Sequence, residues 1–141
     1  MARRLILDTG ILVATERSHR DIDRVIEADD DVVIAAVSAA ELILGVTMAT
    51  PRRRSARHRF VQGLFEVLPV VPYDLEVARA HAALLSHVRG SGQPRGAHDL
   101  QIAATAIATE RTVVTTDRRA SFEELPGVHV VYAGDEPKAA T

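Results

Sequence analysis

Five short runs of apolar, largely β-branched residues constrain this chain more than any other feature: Leu5–Leu7, Val32–Ile34, Val67–Val71, Thr112–Thr115 and Val128–Val131. They are too short for helices and lack the strict alternation of a strand with one wet face, so each reads as a strand covered on both sides. Between them lie stretches of helical spacing at Ile11–Arg17, Arg20–Ala28, Ala39–Ala49, Arg52 to about Phe65, Leu75–Arg89 and His98–Thr109. Strands alternating with helices build an α/β sandwich around a mostly parallel sheet. The Gly- and Pro-punctuated segment Ser91 to Gly96 is a loop, too short to link domains. One domain over residues 1–133 is expected, and residues 134–141, which carry no apolar period, are expected to be a disordered tail.

The 141 residues are 47% hydrophobic, enough for a core that needs no staples. There is no Cys, which removes a disulfide framework, a thiolate nucleophile and a zinc ribbon, and suits a reducing compartment. The start resembles the front of a signal peptide, but Asp8 breaks the apolar run too early, so the expected location is cytoplasmic with no membrane segment. With 17 basic and 19 acidic side chains the net charge is -2, and any contact with nucleic acid must be local. The basic side chains concentrate from Arg52 to Arg59, which leaves the remainder markedly acidic.

Four acids stand out by their surroundings. Asp8 follows the first apolar run, at the carboxyl end of a strand, where open α/β sheets bind ligands. Glu41 is the only charged residue from Val32 through Thr50, and Asp99 the only acid from Ala97 through Thr109. Asp117 follows the fourth run. Each has an ordinary explanation: Asp8 as a helix cap, Ser38 and Glu41 as a capping box, Asp99 as an acid favoured by a helix dipole, and Asp117 as the cap of a short helix through Phe122. Against these, Asp99 shares a helical face with Ile102, Ala103 and Ala106 and so starts from the buried side. Strand ends and the helix starts that follow them lie on one edge of a parallel sheet, so the four carboxylates can converge. Like charges gathered in apolar surroundings repel and lose hydration unless a cation neutralises them. Oxygen-only ligands select Mg²⁺ or Mn²⁺, and the positions left open suit water and a phosphodiester.

The same residues carry a resemblance. Leu-Asp-Thr at Asp8, Ser-x-x-Glu-Leu at Glu41 with Gly45 following, His-Asp-Leu-x-Ile-Ala-Ala-Thr-Ala at Asp99, and Val-Thr-Thr-Asp at Asp117 before Phe122 together resemble the PIN-domain ribonucleases of the VapC type, toxins of toxin–antitoxin modules. The match runs through nearly the whole chain to about Val131. It implies an α/β/α fold, Mg²⁺- or Mn²⁺-dependent endonucleolytic cleavage of RNA, a homodimer, and neutralisation by a small antitoxin. Carried over position by position, the family's acids fall on Asp8, Glu41, Asp99 and Asp117, and Thr115 matches a hydroxyl that orients the last acid from behind. Many relatives carry another acid just before the Phe, where this chain has Ala120 and Ser121.

Arg52, Arg53, Arg54 and Arg57, with Arg118 beside Asp117, are expected to contact RNA phosphates. The histidines lack zinc spacing, and His98 reads as a rim or structural group. Two other readings stay open: a Mg²⁺-dependent phosphohydrolase of a small phosphorylated substrate, which has no use for an extended arginine track, and a non-catalytic interaction module whose acids only cap helices.

Overall fold

The computed structural model describes residues 2–17 and 26–133. Five strands and five helices follow one another along them: β1 (Arg4–Leu7), α1 (Thr9–Arg17), β2 (Asp31–Ala35), α2 (Ala36–Thr47), α3 (Pro51–Val67), β3 (Val70–Val71), α4 (Leu75–Ser91), α5 (Ala97–Ala108), β4 (Thr112–Thr115) and β5 (Val130–Tyr132). Two short 3-10 turns, Arg118–Ala120 and Phe122–Glu124, lie between β4 and β5. Every strand pair is parallel, in the order β3-β2-β1-β4-β5.

The sheet is buried on both faces, as the unalternating apolar runs require. Leu5, Leu7, Ile34 and Val114 turn to a layer holding Ile11, Leu12, Leu42, Val61 and Leu64. Their neighbours Ile6, Val33, Ala35 and Val113 turn the other way, onto Val77, Leu84, Leu100, Ile102 and Phe122. Period-two alternation is therefore present, but both sets are apolar, and the result is a three-layer α/β/α sandwich.

Three elements differ from the sequence expectation. Val67 closes α3 instead of opening a strand, and β3 shrinks to two residues because Pro69 and Pro72 bracket it. Proline gives no N–H to a ladder and is tolerated because β3 is an edge strand; the Pro69 carbonyl still accepts from Ile34 N at 3.0 Å. The last strand starts at Val130 and not Val128, because Gly127, with φ 80, turns the chain and Val128 N bonds back to the Leu125 carbonyl at 3.2 Å. The helix expected at Arg20–Ala28 and the tail at 134–141 fall largely or wholly outside the described residues, and Ile26–Ala28 is not helical.

The strand order places the site. Successive strands run from β1 through β2 to β3 on one side and from β1 to β4 and β5 on the other, so the connections diverge between β1 and β4. In open parallel sheets such a divergence opens a crevice beyond the carboxyl ends of the two strands. Asp8 follows β1 and Asp117 follows β4.

Candidate metal centre

At the opposite, amino end of the sheet the acids find arginines. Arg3 meets both carboxylate oxygens of Asp30, Nε to Oδ1 at 3.0 Å and Nη2 to Oδ2 at 2.6 Å, and Arg111 Nη1 lies 3.0 Å from Asp31 Oδ1. The bond from each arginine holds each aspartate below its ordinary pKa. At the carboxyl end the acids find one another instead.

Asp8 is 6% exposed. Its N–H continues the ladder to the Val114 carbonyl at 2.9 Å, which fixes the backbone in the crevice. Oδ1 accepts from Thr9 N at 2.8 Å and Oδ2 from the Thr115 hydroxyl at 2.7 Å. Burial raises the pKa of Asp8, against the pull of those two hydrogen bonds, with Asp117 and Glu41 adding repulsion.

Glu41 reaches the crevice from α2. Ser38 is not its capping partner: β2 passes into α2 without a break, the helix is capped at Ala35 with no side-chain bond, and Ser38 sits fully buried inside the first turn. The Thr9 hydroxyl lies 2.9 Å from both Ser38 Oγ and Glu41 Oε1, tying the start of α1 to α2. Glu41 Oε2 lies 3.2 Å from His98 Nδ1. His98, read from sequence as a rim or structural group, thus meets one of the four acids across a cleft of about 400 Å³ lined also by Gly96, Ala97 and Asp99.

Asp99 lies in the first turn of α5, capped at Gly96 by backbone alone. Among the described residues no donor reaches its carboxylate, and its pKa is pushed up to about 6, by burial first and then by Asp8, Asp117 and Glu41. Asp117 is exposed; its N–H donates to Thr115 Oγ1 at 2.9 Å, and its Oδ1 accepts from Arg119 N at 2.9 Å, capping the first 3-10 turn. Thr115 therefore braces two acids, with its hydroxyl proton on Asp8 and its lone pair toward the Asp117 backbone.

The four carboxylates repel across a common space, yet no three of them bring oxygens within 4.8 Å of one another; among the described residues only Glu27, Asp29 and Asp30 do, at the far end of the sheet, where Arg3 already pairs Asp30. An all-oxygen donor set, one member of which has no hydrogen-bond donor and resists ionisation, fits a hard divalent cation.

The arginines divide. Arg54 donates to the Ala49 carbonyl at 2.9 Å, and Arg57 to Glu16 Oε1 at 3.2 Å and the Gly45 carbonyl at 3.4 Å, one helical turn beyond Glu41. Arg52 and Arg53 stand exposed at the start of α3. Arg118 stacks 4.2 Å over the ring of Tyr132, whose hydroxyl bonds to Glu123.

The sequence profile of the PIN domain matches residues 5–128, a span that contains all four acids. The chain belongs to the PIN domain family. It is 33% identical over 125 residues to VapC ribonuclease Y4jK of Sinorhizobium fredii, covering 80% of this chain and 86% of the relative. It is 34% identical over 113 residues to ribonuclease VapC5 of Mycobacterium tuberculosis, covering 79% and 82%. A chain of the solved structure of VapBC-5 of Mycobacterium tuberculosis, a member of the VapBC family of toxin–antitoxin systems, shares the fold with a TM-score of 0.76 at 28% identity over 92% of this chain and 98% of that one.

The bonds of Thr9 and Ser38 at the crevice were not foreseen from the sequence, although both hydroxyls stand inside the motifs around Asp8 and Glu41.

Proposed function

We propose that this chain is the toxin of a toxin–antitoxin module and cleaves RNA as a metal-dependent endonuclease, with Asp8, Glu41, Asp99 and Asp117 holding Mg²⁺ or Mn²⁺. The observation that carries the reading is Asp99: a half-buried carboxylate with no donor, facing three other acids, whose pKa reaches about 6. The relatives' names, ribonucleases of the VapC type, support the substrate class. A bound divalent cation supplies a water of lowered pKa and a counter-charge for the scissile phosphate.

The chain's own residues do the rest. Asp8 is locked by Thr9 and Thr115, each of its oxygens keeping a further lone pair. Thr9 and His98 hold the two oxygens of Glu41. Arg52 and Arg53 offer phosphate contacts along an RNA, with Arg54 and Arg57 beside them and Arg118 next to Asp117; such contacts hold the backbone and carry no sequence information.

A small antitoxin and a second copy of the chain are the proposed protein partners. Ile43, Leu44 and Met48, 51%, 58% and 75% exposed near the end of α2, supply apolar surface of the kind that partners cover. No helix among the described residues is long and apolar enough to cross a membrane, and the proposed setting is the cytoplasm. The test is cleavage of RNA by the purified protein: EDTA should abolish it, Mg²⁺ or Mn²⁺ should restore it, and Asp8→Asn and Asp99→Asn should remove it with the fold intact. Full activity in chelator, or in both variants, overturns the reading.

A further inference from the structure

Arg95 is an arginine in the loop between α4 and α5 whose side chain is only 13% exposed. It does not face the crevice acids through any bond. Its Nη1 donates to the carbonyls of Ala120 at 2.5 Å and Ser121 at 2.9 Å, and its Nη2 to Glu124 Oε2 at 2.9 Å. These acceptors span the two 3-10 turns that follow Asp117, and Ser121 joins the turns in the left-handed conformation, with φ 48. A non-glycine residue held there relaxes unless its surroundings fix it. Arg95 ties it to the loop before α5, beside the local bonds from Ser121 N to the Arg118 carbonyl at 3.2 Å and from Glu124 N to the Ser121 carbonyl at 3.0 Å.

The next residue, Gly96, is the cap of α5 with φ -61 and ψ 134, a conformation any residue adopts, so its lack of a side chain is not a backbone requirement. It is a requirement of space. A Cβ at Gly96 would lie 2.9 Å from Asp99 Oδ2, 3.5 Å from Asp99 Cγ and 3.9 Å from Asp99 Cβ, the three nearest atoms beyond its chain neighbours. The Asp99 carboxylate occupies the room that a side chain would fill, and any substitution there makes it shift.

One dipeptide thus borders two of the four acids: Arg95 binds the turns that Asp117 caps, and Gly96 leaves the space that the Asp99 carboxylate fills. We infer that Arg95 and Gly96 are positioning residues of the metal centre, setting the separation between Asp99 and Asp117. This rests on the metal-dependent reading above. Neither residue is among the four acids; in this reading they act by holding Asp99 and Asp117. Supporting groups of this kind typically change metal affinity by about 10- to 100-fold when removed.

The deciding measurement is Mn²⁺ binding by the full-length protein, followed by electron paramagnetic resonance of free Mn²⁺, with thermal melting in EDTA alongside. Arg95→Ala and Gly96→Ala should each weaken Mn²⁺ at least about tenfold. Arg95→Lys, which keeps the charge but not the forked reach to two carbonyls and a carboxylate, should fall between Arg95→Ala and wild type. Gly96→Ala should melt in EDTA at the wild-type temperature, since alanine suits its backbone. This variant keeps the inference falsifiable should Arg95→Ala fail to fold. Wild-type Mn²⁺ affinity in a folded Gly96→Ala or Arg95→Ala protein overturns the inference alone. If the wild-type protein itself binds no Mn²⁺, both this inference and the metal-dependent reading fall.

Discussion

The hydroxyl of Thr115 donates to Asp8 across 107 residues of sequence, at 2.7 Å and out of contact with solvent. Thr115→Val keeps the shape and removes the donor, leaving a buried carboxylate oxygen short of a partner, a loss of roughly 1–3 kcal/mol. Asp8 then loses the bond that most opposes the effect of burial, so its pKa climbs further and protons compete with metal up to a higher pH. Thermal melting and Mn²⁺ binding across pH check this; Thr115→Ser should restore both. Wild-type behaviour in the valine variant would remove Thr115 from the site.

Asp99 makes the metal-free protein sensitive to pH in an unusual direction. Its pKa rises from 3.8 to about 6 on folding, so the folded chain binds this proton more tightly than the unfolded one. The resulting stability is fully present below pH 3.8 and is lost as pH climbs through about 6. The shift taken whole is worth about 3 kcal/mol, and partial exposure screens it to roughly 1 kcal/mol. Melting of wild type and Asp99→Asn in EDTA between pH 4 and 8 should show the asparagine variant gaining relative to wild type toward the alkaline end. A constant difference would mean that Asp99 does not titrate in this range.

Mn²⁺ should stabilise the wild type at neutral pH by mass action, by about 2.7 kcal/mol at a hundred times its dissociation constant, and Asp99→Asn much less. Equal shifts in the two proteins would place the cation elsewhere, and Glu27, Asp29 and Asp30 would be the first group to examine by substitution.

The arginines should separate by experiment as they do in space. Replacing Arg52 and Arg53 by Ala should leave the melting temperature unchanged and reduce the salt dependence of RNA binding by about 0.7 in log–log slope for each phosphate that is no longer neutralised. Arg57→Ala should instead cost about 1 kcal/mol of stability, because it gives up the bonds to Glu16 and the Gly45 carbonyl. An unaltered salt slope in the double variant would return the start of α3 to ordinary surface.

The sheet was legible because burial on both faces leaves its mark on every strand residue: Ile6 is apolar for one layer, and Leu5 and Leu7 for the other. Glu41 and Asp99 drew notice in the sequence because each is the lone acid of an apolar stretch, where a charge needs a reason. Their supports were not legible. Ser38 carries the spacing of a cap, and only the unbroken passage of β2 into α2 reveals that it lies inside the helix. Arg95 binds two backbone carbonyls 25 and 26 residues away, and a carbonyl is the same in every residue, so nothing in the sequence records the pairing. The shortening of β3 was written in Pro69 and Pro72, but the apolar run across them was the louder signal.

The four acids come from positions 8, 41, 99 and 117 of the chain, and the strand that opens the sequence is the central one, paired to β4 through Leu5–Thr112, Ile6–Val113 and Leu7–Val114. During synthesis Asp8 leaves the ribosome first and waits for Thr115 and Asp117, which arrive among the last residues of the domain. Non-local pairing of this kind forms only after the intervening loop has been closed. Until then the growing chain presents scattered carboxylates and no centre. The centre is therefore a late product of folding, complete only once the chain from Asp8 to Asp117 has been made and β1 has paired with β4.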